Sequence, residues 1–133
     1  MKRILICLLS VVLLASCSSH QSSSSQTAMM PAASSGDFRM SLTFDPSPPA
    51  KGDETIIVSL KDASGNSVKN ATVTSTSSMP AMSMSGPALV FQNNGDGTYS
   101  AVTSVNYSTK WIFRISASQA GKSGKADFIV DVP

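Results

Sequence analysis

Residues 93–117 read NNGDGTYSAVTSVNYSTKWIFRISA, and this stretch decides the fold. Tyr99, Ala101, Thr103 and Val105 take every second position in the first part, and Trp111, Phe113, Ile115 and Ala117 do so in the second. A period of two is typical of a β-strand with one buried face. The cluster of Asn, Asp and Gly at residues 93–97 predicts a tight turn before the first strand. We therefore expect two consecutive strands, with Tyr99 and Trp111 anchoring the core.

The same alternation continues outward from this stretch in both directions. Apolar positions separated by turn signals predict further strands near residues 38–44, 56–60, 68–73, 88–92 and 128–132. About seven short strands, with turns every 8–12 residues and no helical period, are typical of an all-β, immunoglobulin-like β-sandwich of antiparallel strands. We assign this domain to residues 37–133, which is long enough to fold without disulfides.

The N-terminus has the pattern of an export signal. Lys2 and Arg3 precede an apolar run at residues 4–15, which is shorter than the roughly 20 residues that span a membrane. The run ends in Leu-Ala-Ser-Cys17, which resembles the bacterial lipobox. The resemblance implies a signal peptide at residues 1–16, cleavage before Cys17, and attachment of lipid, including fatty acid of the palmitate type, to Cys17. Because Ser18 and not Asp follows, we expect the outer membrane in a Gram-negative host, with the domain facing the periplasm.

Composition limits the classes of function that remain. The full chain has 10 basic and 8 acidic residues. Lys2 and Arg3 would be removed with the signal peptide, which leaves eight of each, so the sequence shows no electrostatic footprint for nucleic acid. Residues 17–36 are rich in Ser and predict a flexible tether after the lipidated cysteine. Beyond Cys17 the chain has no cysteine, so the domain must be stabilised by burial alone.

Several motifs in fixed order resemble one family. They are Lys-Gly-Asp at residues 51–53, D-x-x-G-x-x-V-x-x-A at 62–71, M-P-x-M-x-M at 79–84, G-x-G-x-Y-x-A at 95–101 and W-x-F-x-I at 111–115. This order resembles the YtkA-like (FixH-like) domain of bacterial envelope proteins. The resemblance implies the sandwich fold and an accessory role near metal handling or respiratory oxidases. The family's common M-x-G-x-W is replaced here by Y-S-T-K-W at residues 107–111.

A methionine cluster is the one candidate site. Thioethers are soft neutral ligands that suit Cu(I), and Met82 and Met84 would point to the same side of an extended chain. Pro80 could turn Met79 inward as a third ligand. Met40, or Met29 with Met30, could assist. In the alternative, these methionines fill an irregular gap in the core or form a contact surface for an envelope protein partner.

Other chemistry has little support in the sequence. The mature chain has one histidine, His20, and it lies in the tether, so a Ser-His-Asp arrangement is not expected. Asp53 and Glu54 are adjacent on a strand and would face opposite sides. The turn at residues 93–97 lacks the spacing of a calcium loop. We therefore expect a lipid-anchored, non-catalytic binding or accessory module that binds Cu(I) or a protein; the sequence leaves the oligomeric state open.

Overall fold

The computed structural model describes residues 27–133. The predicted signal peptide, Cys17 and His20 lie outside the described residues. Among the described residues there are ten strands and one short 3-10 helix. The strands are β1 (Ala33–Gly36), β2 (Arg39–Asp45), β3 (Gly52–Lys61), β4 (Thr72–Met79), β5 (Met84–Ser85), β6 (Leu89–Val90), β7 (Gln92–Asn93), β8 (Thr98–Val105), β9 (Lys110–Gln119) and β10 (Lys122–Asp131), and the helix is Pro80–Met82.

The strands form two antiparallel sheets, which confirms the predicted all-β sandwich. Sheet A has the order β2-β3-β8-β7, and sheet B has the order β1-β10-β9-β4-β5, with β6 also paired to β4. Successive side chains of a strand point to opposite faces of its sheet, so each sheet contributes one face to the core. In β9, for example, Trp111, Phe113 and Ile115 are buried and the residues between them are not. No described helix is long and apolar enough to cross a membrane.

The core lies between the sheets and is made of alternating aromatic and branched side chains. Tyr99 is fully buried and Trp111 is nearly so. The rings of Trp111 and Phe113 stack with centroids 5.8 Å apart, and Phe44 of sheet A meets Phe113 of sheet B edge-on at 5.8 Å. The contact between Phe44 and Phe113 joins the two sheets.

The third strand lies further along the chain than the sequence predicted. We expected a strand at residues 68–73, but β4 covers Thr72–Met79. Its buried face consists of Val73, Ser75, Ser77 and Met79. Because two of these four buried positions are serines, apolar residues do not alternate along β4. A search for alternating apolar side chains therefore does not detect this strand. The strand expected at residues 88–92 is also split, into β6 and β7.

The domain begins earlier than the predicted boundary at residue 37. β1 pairs with β10 along its whole length, and the backbone of Met29 exchanges hydrogen bonds of 2.7 and 3.1 Å with Leu42 of β2. Gly36 makes this packing feasible, because its φ is +97° and a Cβ there would lie 2.3 Å from the carbonyl oxygen of Ser123. The side chains of β1 are all exposed, so only backbone pairing holds it, and apolar patterning could not reveal it.

Two contacts show which loops share an end of the sandwich. Phe44 lies against Phe113, whereas Met40, earlier in β2, and Phe38, just before this strand, lie against Gly124. β2 therefore runs from the β9–β10 turn towards Trp111. The end that carries Trp111 also carries residues 46–51 and 80–88, and we call it the methionine end. The opposite end carries Arg39, Lys61 and the turns at residues 62–67, 94–97 and 120–121, and we call it the basic end.

Candidate functional site

The methionines of the candidate site lie on a tight hairpin at the methionine end. β4 ends at Met79, the chain makes one 3-10 turn at Pro80–Met82, and β5 returns along β4. Ser83 closes the turn with a left-handed backbone (φ 51°, ψ 37°), and its N–H donates a 3.2 Å hydrogen bond to the Pro80 carbonyl oxygen. We call residues 79–84 the methionine hairpin.

The hairpin brings Met79 and Met84 together, although they are five positions apart. They are direct partners in the β4–β5 register, which places their Cα atoms about 4.5–5.5 Å apart with both side chains on one face of the sheet. The extended backbone that we expected from Met82 to Met84 is not observed. Met82 belongs to the 3-10 turn instead, because proline at the first position favours a helical turn there.

The three thioethers have different environments. Met79 is 2% exposed and continues the buried face of β4, whereas Met82 and Met84 are 41% and 40% exposed. Core packing therefore accounts for Met79 and does not account for the other two. The structure places Met40 in the core near Gly124 at the basic end, and Met30 is 77% exposed on the outer face of sheet A. Neither extends the methionine hairpin.

Trp111 forms the wall beside the hairpin. Its indole Nε1 donates a 3.1 Å hydrogen bond to the carbonyl oxygen of Tyr107. Gly86, two residues past Met84, passes over the ring: a Cβ at this position would lie 3.1 Å from Cζ3 of Trp111 and 2.3 Å from Oγ of Ser77. The backbone N–H of Gly86 donates to the Ser77 carbonyl oxygen at 3.0 Å. The return of the hairpin is thus fixed against an aromatic surface.

The sequence suggested no role for one carboxylate at this end. Glu54 is buried on the inner face of β3; its Oε1 accepts a 2.8 Å hydrogen bond from the N–H of Ala50, and its Oε2 is buried without a partner. Asp53 points to the outer, exposed face. The buried carboxylate therefore fixes the loop at residues 46–50, and the two acids do not form a pair.

The described residues contain no group of three or more His, Cys, Asp or Glu side chains that could hold a metal ion. The methionines are accordingly the candidate metal ligands in this part of the chain. As neutral thioethers they suit a soft ion such as Cu(I) and do not suit zinc or calcium.

Comparison with known proteins identifies one family. The family model described as YtkA-like matches residues 32–130, which covers β1 and reaches almost to the end of β10. No curated protein and no solved structure matches the chain.

Proposed function

The chain belongs to the YtkA-like family, and from this premise we propose that it is a lipid-anchored, non-catalytic accessory protein of the bacterial cell envelope whose methionine hairpin binds Cu(I). Anchoring is supported by the basic start, the short apolar run and Cys17 of the lipobox-like sequence. Two or more acyl chains give stable attachment to a membrane. The absence of Asp after Cys17 favours the outer membrane of a Gram-negative host.

The partial exposure of Met82 and Met84 is the observation that carries the metal proposal. Methionine side chains usually gain free energy from burial, and the hairpin leaves two of them partly in solvent within three residues. The β4–β5 register adds Met79 directly beside Met84. Two thioethers at the surface, with a third beneath them, form a donor set that Cu(I) accepts without any change of protonation.

The proposal is tested by Cu(I) competition with a chromogenic chelator under anaerobic conditions, using residues 18–133. We expect binding of one equivalent with sub-micromolar affinity and loss of binding in Met82→Leu/Met84→Leu. Met30→Leu is the matched control, since Met30 is even more exposed and lies elsewhere. Equal binding by the double variant and the control variant would exclude the hairpin as the site.

Stability gives a second readout of the same event. Cu(I) at a hundredfold excess over its dissociation constant should stabilise the wild-type domain by about 2.7 kcal/mol. Leu is close to Met in volume, so the double substitution should itself cost under about 1.5 kcal/mol. Met79→Leu tests the buried sulfur separately: retained stability with weakened Cu(I) binding would identify Met79 as a ligand.

The competing proposal is that the hairpin contacts a protein. The same exposure of Met82 and Met84 supports it, because flexible thioether side chains adapt to varied partner surfaces. This function predicts no withdrawal of copper from the chelator. It also predicts that Met82→Asp abolishes capture of an envelope partner while the domain remains folded, since a carboxylate would be desolvated in the contact.

A further inference from the structure

A second surface, at the basic end, carries two neighbouring cations, and no acidic side chain within residues 27–133 forms an ion pair with either of them. On the outer face of sheet A, Arg39 of β2 and Lys61 of β3 are direct cross-strand partners, which places their Cα atoms about 4.5–5.5 Å apart. Like charges directly opposite each other destabilise a sheet. Both side chains are exposed, and the ion pair found among the described residues joins Arg114 to Asp127 elsewhere.

Three acids at the basic end accept hydrogen bonds from backbone N–H groups. Asp62 accepts 2.9 Å hydrogen bonds from the backbone N–H groups of Ser64 and Asn66, and the Asn66 bond is the main reason that its pKa is lowered. Asp96 accepts from the hydroxyl and N–H of Thr98, which lower its pKa likewise. Asp37 accepts from the N–H of Ser123. None of the three lies within ion-pair distance of Arg39 or Lys61.

Hydroxyl and apolar groups adjoin the two cations. Ser41 and Ser59 are also direct cross-strand partners, one step along the same face. A shallow cavity of about 240 Å³ is lined by Met30, Arg39, Met40, Ser41, Ser59 and Lys61. Guanidinium, ammonium and hydroxyl donors are the groups that bind phosphate oxygens, and Met30 adds an apolar side chain that is 77% exposed. We call this surface the cationic patch.

Charge is divided unequally between the ends of the sandwich. The half nearer the basic end has five cationic residues and three acidic ones: Arg39, Lys61, Lys69, Lys122 and Lys125 against Asp37, Asp62 and Asp96. Apart from the Arg114–Asp127 ion pair near the middle of β9 and β10, which adds no net charge, the half nearer the methionine end has two cationic residues and four acidic ones: Lys51 and Lys110 against Asp45, Asp53, Glu54 and Asp131. The difference is +2 at one end and −2 at the other, so an anionic surface would attract the basic end and repel the methionine end.

We propose that the cationic patch docks on the phosphate groups of anionic membrane lipids, with Met30 inserted at the headgroup level. The inference rests on the proposed function in one respect, the lipid on Cys17. Met29 is hydrogen-bonded to Leu42, three positions from Arg39. Cys17 lies twelve residues before Met29, so the lipid must lie within about 40 Å of it. The membrane is therefore always within reach of the patch.

Docking in this way gives the domain a defined orientation. Lys61 and the methionine end are separated by the length of β3, which has ten residues and spans about 30 Å. With the patch on the headgroups, the methionine hairpin points away from the membrane into the surrounding space. Cu(I) or a protein partner would then reach Met82 and Met84 without obstruction by lipid.

The test measures sedimentation of unlipidated protein, residues 18–133, with vesicles of phosphatidylcholine, either alone or mixed with phosphatidylglycerol, at low ionic strength. We expect binding to the mixed vesicles only. Each cation near an anionic surface contributes about fivefold in partition, so Arg39→Gln/Lys61→Gln should lower binding about thirtyfold. Lys51→Gln/Lys110→Gln is the matched control, because it changes the net charge equally at the other end and should change binding little. Met30→Ser should weaken binding further.

The outcomes separate this inference from the proposed function. No binding of the wild-type protein, equal binding to both kinds of vesicle, or an equal loss in the two double variants overturns the docking surface. Since the protein tested carries no lipid, lipidation of Cys17 does not affect the result. Palmitate labelling of the full chain in cells, compared with Cys17→Ser, tests the anchor separately. Arg39→Gln/Lys61→Gln should unfold at the same or a higher temperature, because it removes a like-charge pair, so unfolding cannot imitate loss of docking.

Discussion

The hydroxyl of Tyr99 donates a 2.6 Å hydrogen bond to the carbonyl oxygen of Val68, which lies 31 positions earlier in the chain. The same hydroxyl accepts a 3.0 Å hydrogen bond from the N–H of Ala71. Residues 62–71 carry the chain from sheet A to sheet B. One buried side chain therefore satisfies two backbone groups of this crossing and fixes where β4 begins.

Tyr99→Phe is expected to destabilise the domain by about 1–3 kcal/mol, because it leaves a buried N–H and a carbonyl oxygen without their partner. The measurement is the free energy of unfolding in urea. Tyr107→Phe serves as the control, since Tyr107 is partly exposed and its substitution should cost little. Equal effects at the two positions would show that the hydroxyl of Tyr99 is replaced by water.

The sequence predicted the fold where large apolar side chains alternate and failed where other forces act. β2, β3, β8 and β9 were found because branched and aromatic residues mark one face. β4 was misplaced because Ser75 and Ser77 occupy buried positions. β1 was taken as part of the tether, because its four exposed residues are held by backbone hydrogen bonds that leave no trace in hydropathy.

The two candidate sites could also be predicted from the sequence only in part. Composition and spacing were enough to single out Met79, Met82 and Met84. Their arrangement depends on the turn at Pro80 and the left-handed backbone of Ser83. We expected an extended chain from Met82 to Met84, and this expectation could not predict the turn. The pairing of Arg39 with Lys61 could not be seen either. They are 22 positions apart, and only the strand register places them opposite each other.

Gly86→Ala should disturb the wall beside the methionine hairpin. The added methyl group would lie 2.3 Å from Oγ of Ser77 and 3.1 Å from the Trp111 ring, so overpacking of about 1–3 kcal/mol is expected. Trp111 is the single tryptophan, and its fluorescence reports the displacement directly. Ser77→Ala combined with Gly86→Ala removes the nearest clashing atom and should restore much of the stability. Failure of this rescue would mean that the ring contact, and not Ser77, is the cause.

The cross-strand pair of Arg114 and Asp127 should make stability depend on pH in acid. Two hydrogen bonds of 2.9 Å join the guanidinium to the carboxylate. The Arg114 hydrogen bond lowers the pKa of Asp127 from its ordinary value of 3.8. Because the folded-state pKa is depressed, the contribution to stability is complete above the unfolded-state value and is lost as the pH falls through the folded-state value. Both groups face solvent, so the effect is small and screened by salt.

The measurement for this pair is a double-mutant cycle with Arg114→Gln and Asp127→Asn at several pH values. The coupling between the two substitutions should be present at neutral pH and disappear as the pH falls through the folded-state pKa of Asp127, which the Arg114 hydrogen bond holds below 3.8, because the carboxylate then gains a proton. A coupling that is unchanged in acid would contradict an ionic interaction. The remaining interaction would then be hydrogen bonding between the same groups, which does not require the charge on the carboxylate.

Mild oxidation should distinguish a metal-bound hairpin from a free one. Peroxide oxidises accessible thioethers to sulfoxides, so Met30, Met82 and Met84 should react before the buried Met79 and Met40. Peptide mass spectrometry gives the rate at each position under anaerobic conditions. Ag(I), a redox-inert soft ion, takes the place of Cu(I) in this experiment so that copper does not drive the oxidation. If Cu(I) binds as proposed, Ag(I) should slow the reaction at Met82 and Met84 and leave the rate at Met30 unchanged. Slowing at all three positions would instead indicate that the ion protects any exposed methionine, and no slowing at the hairpin would leave the protein-contact proposal as the stronger one.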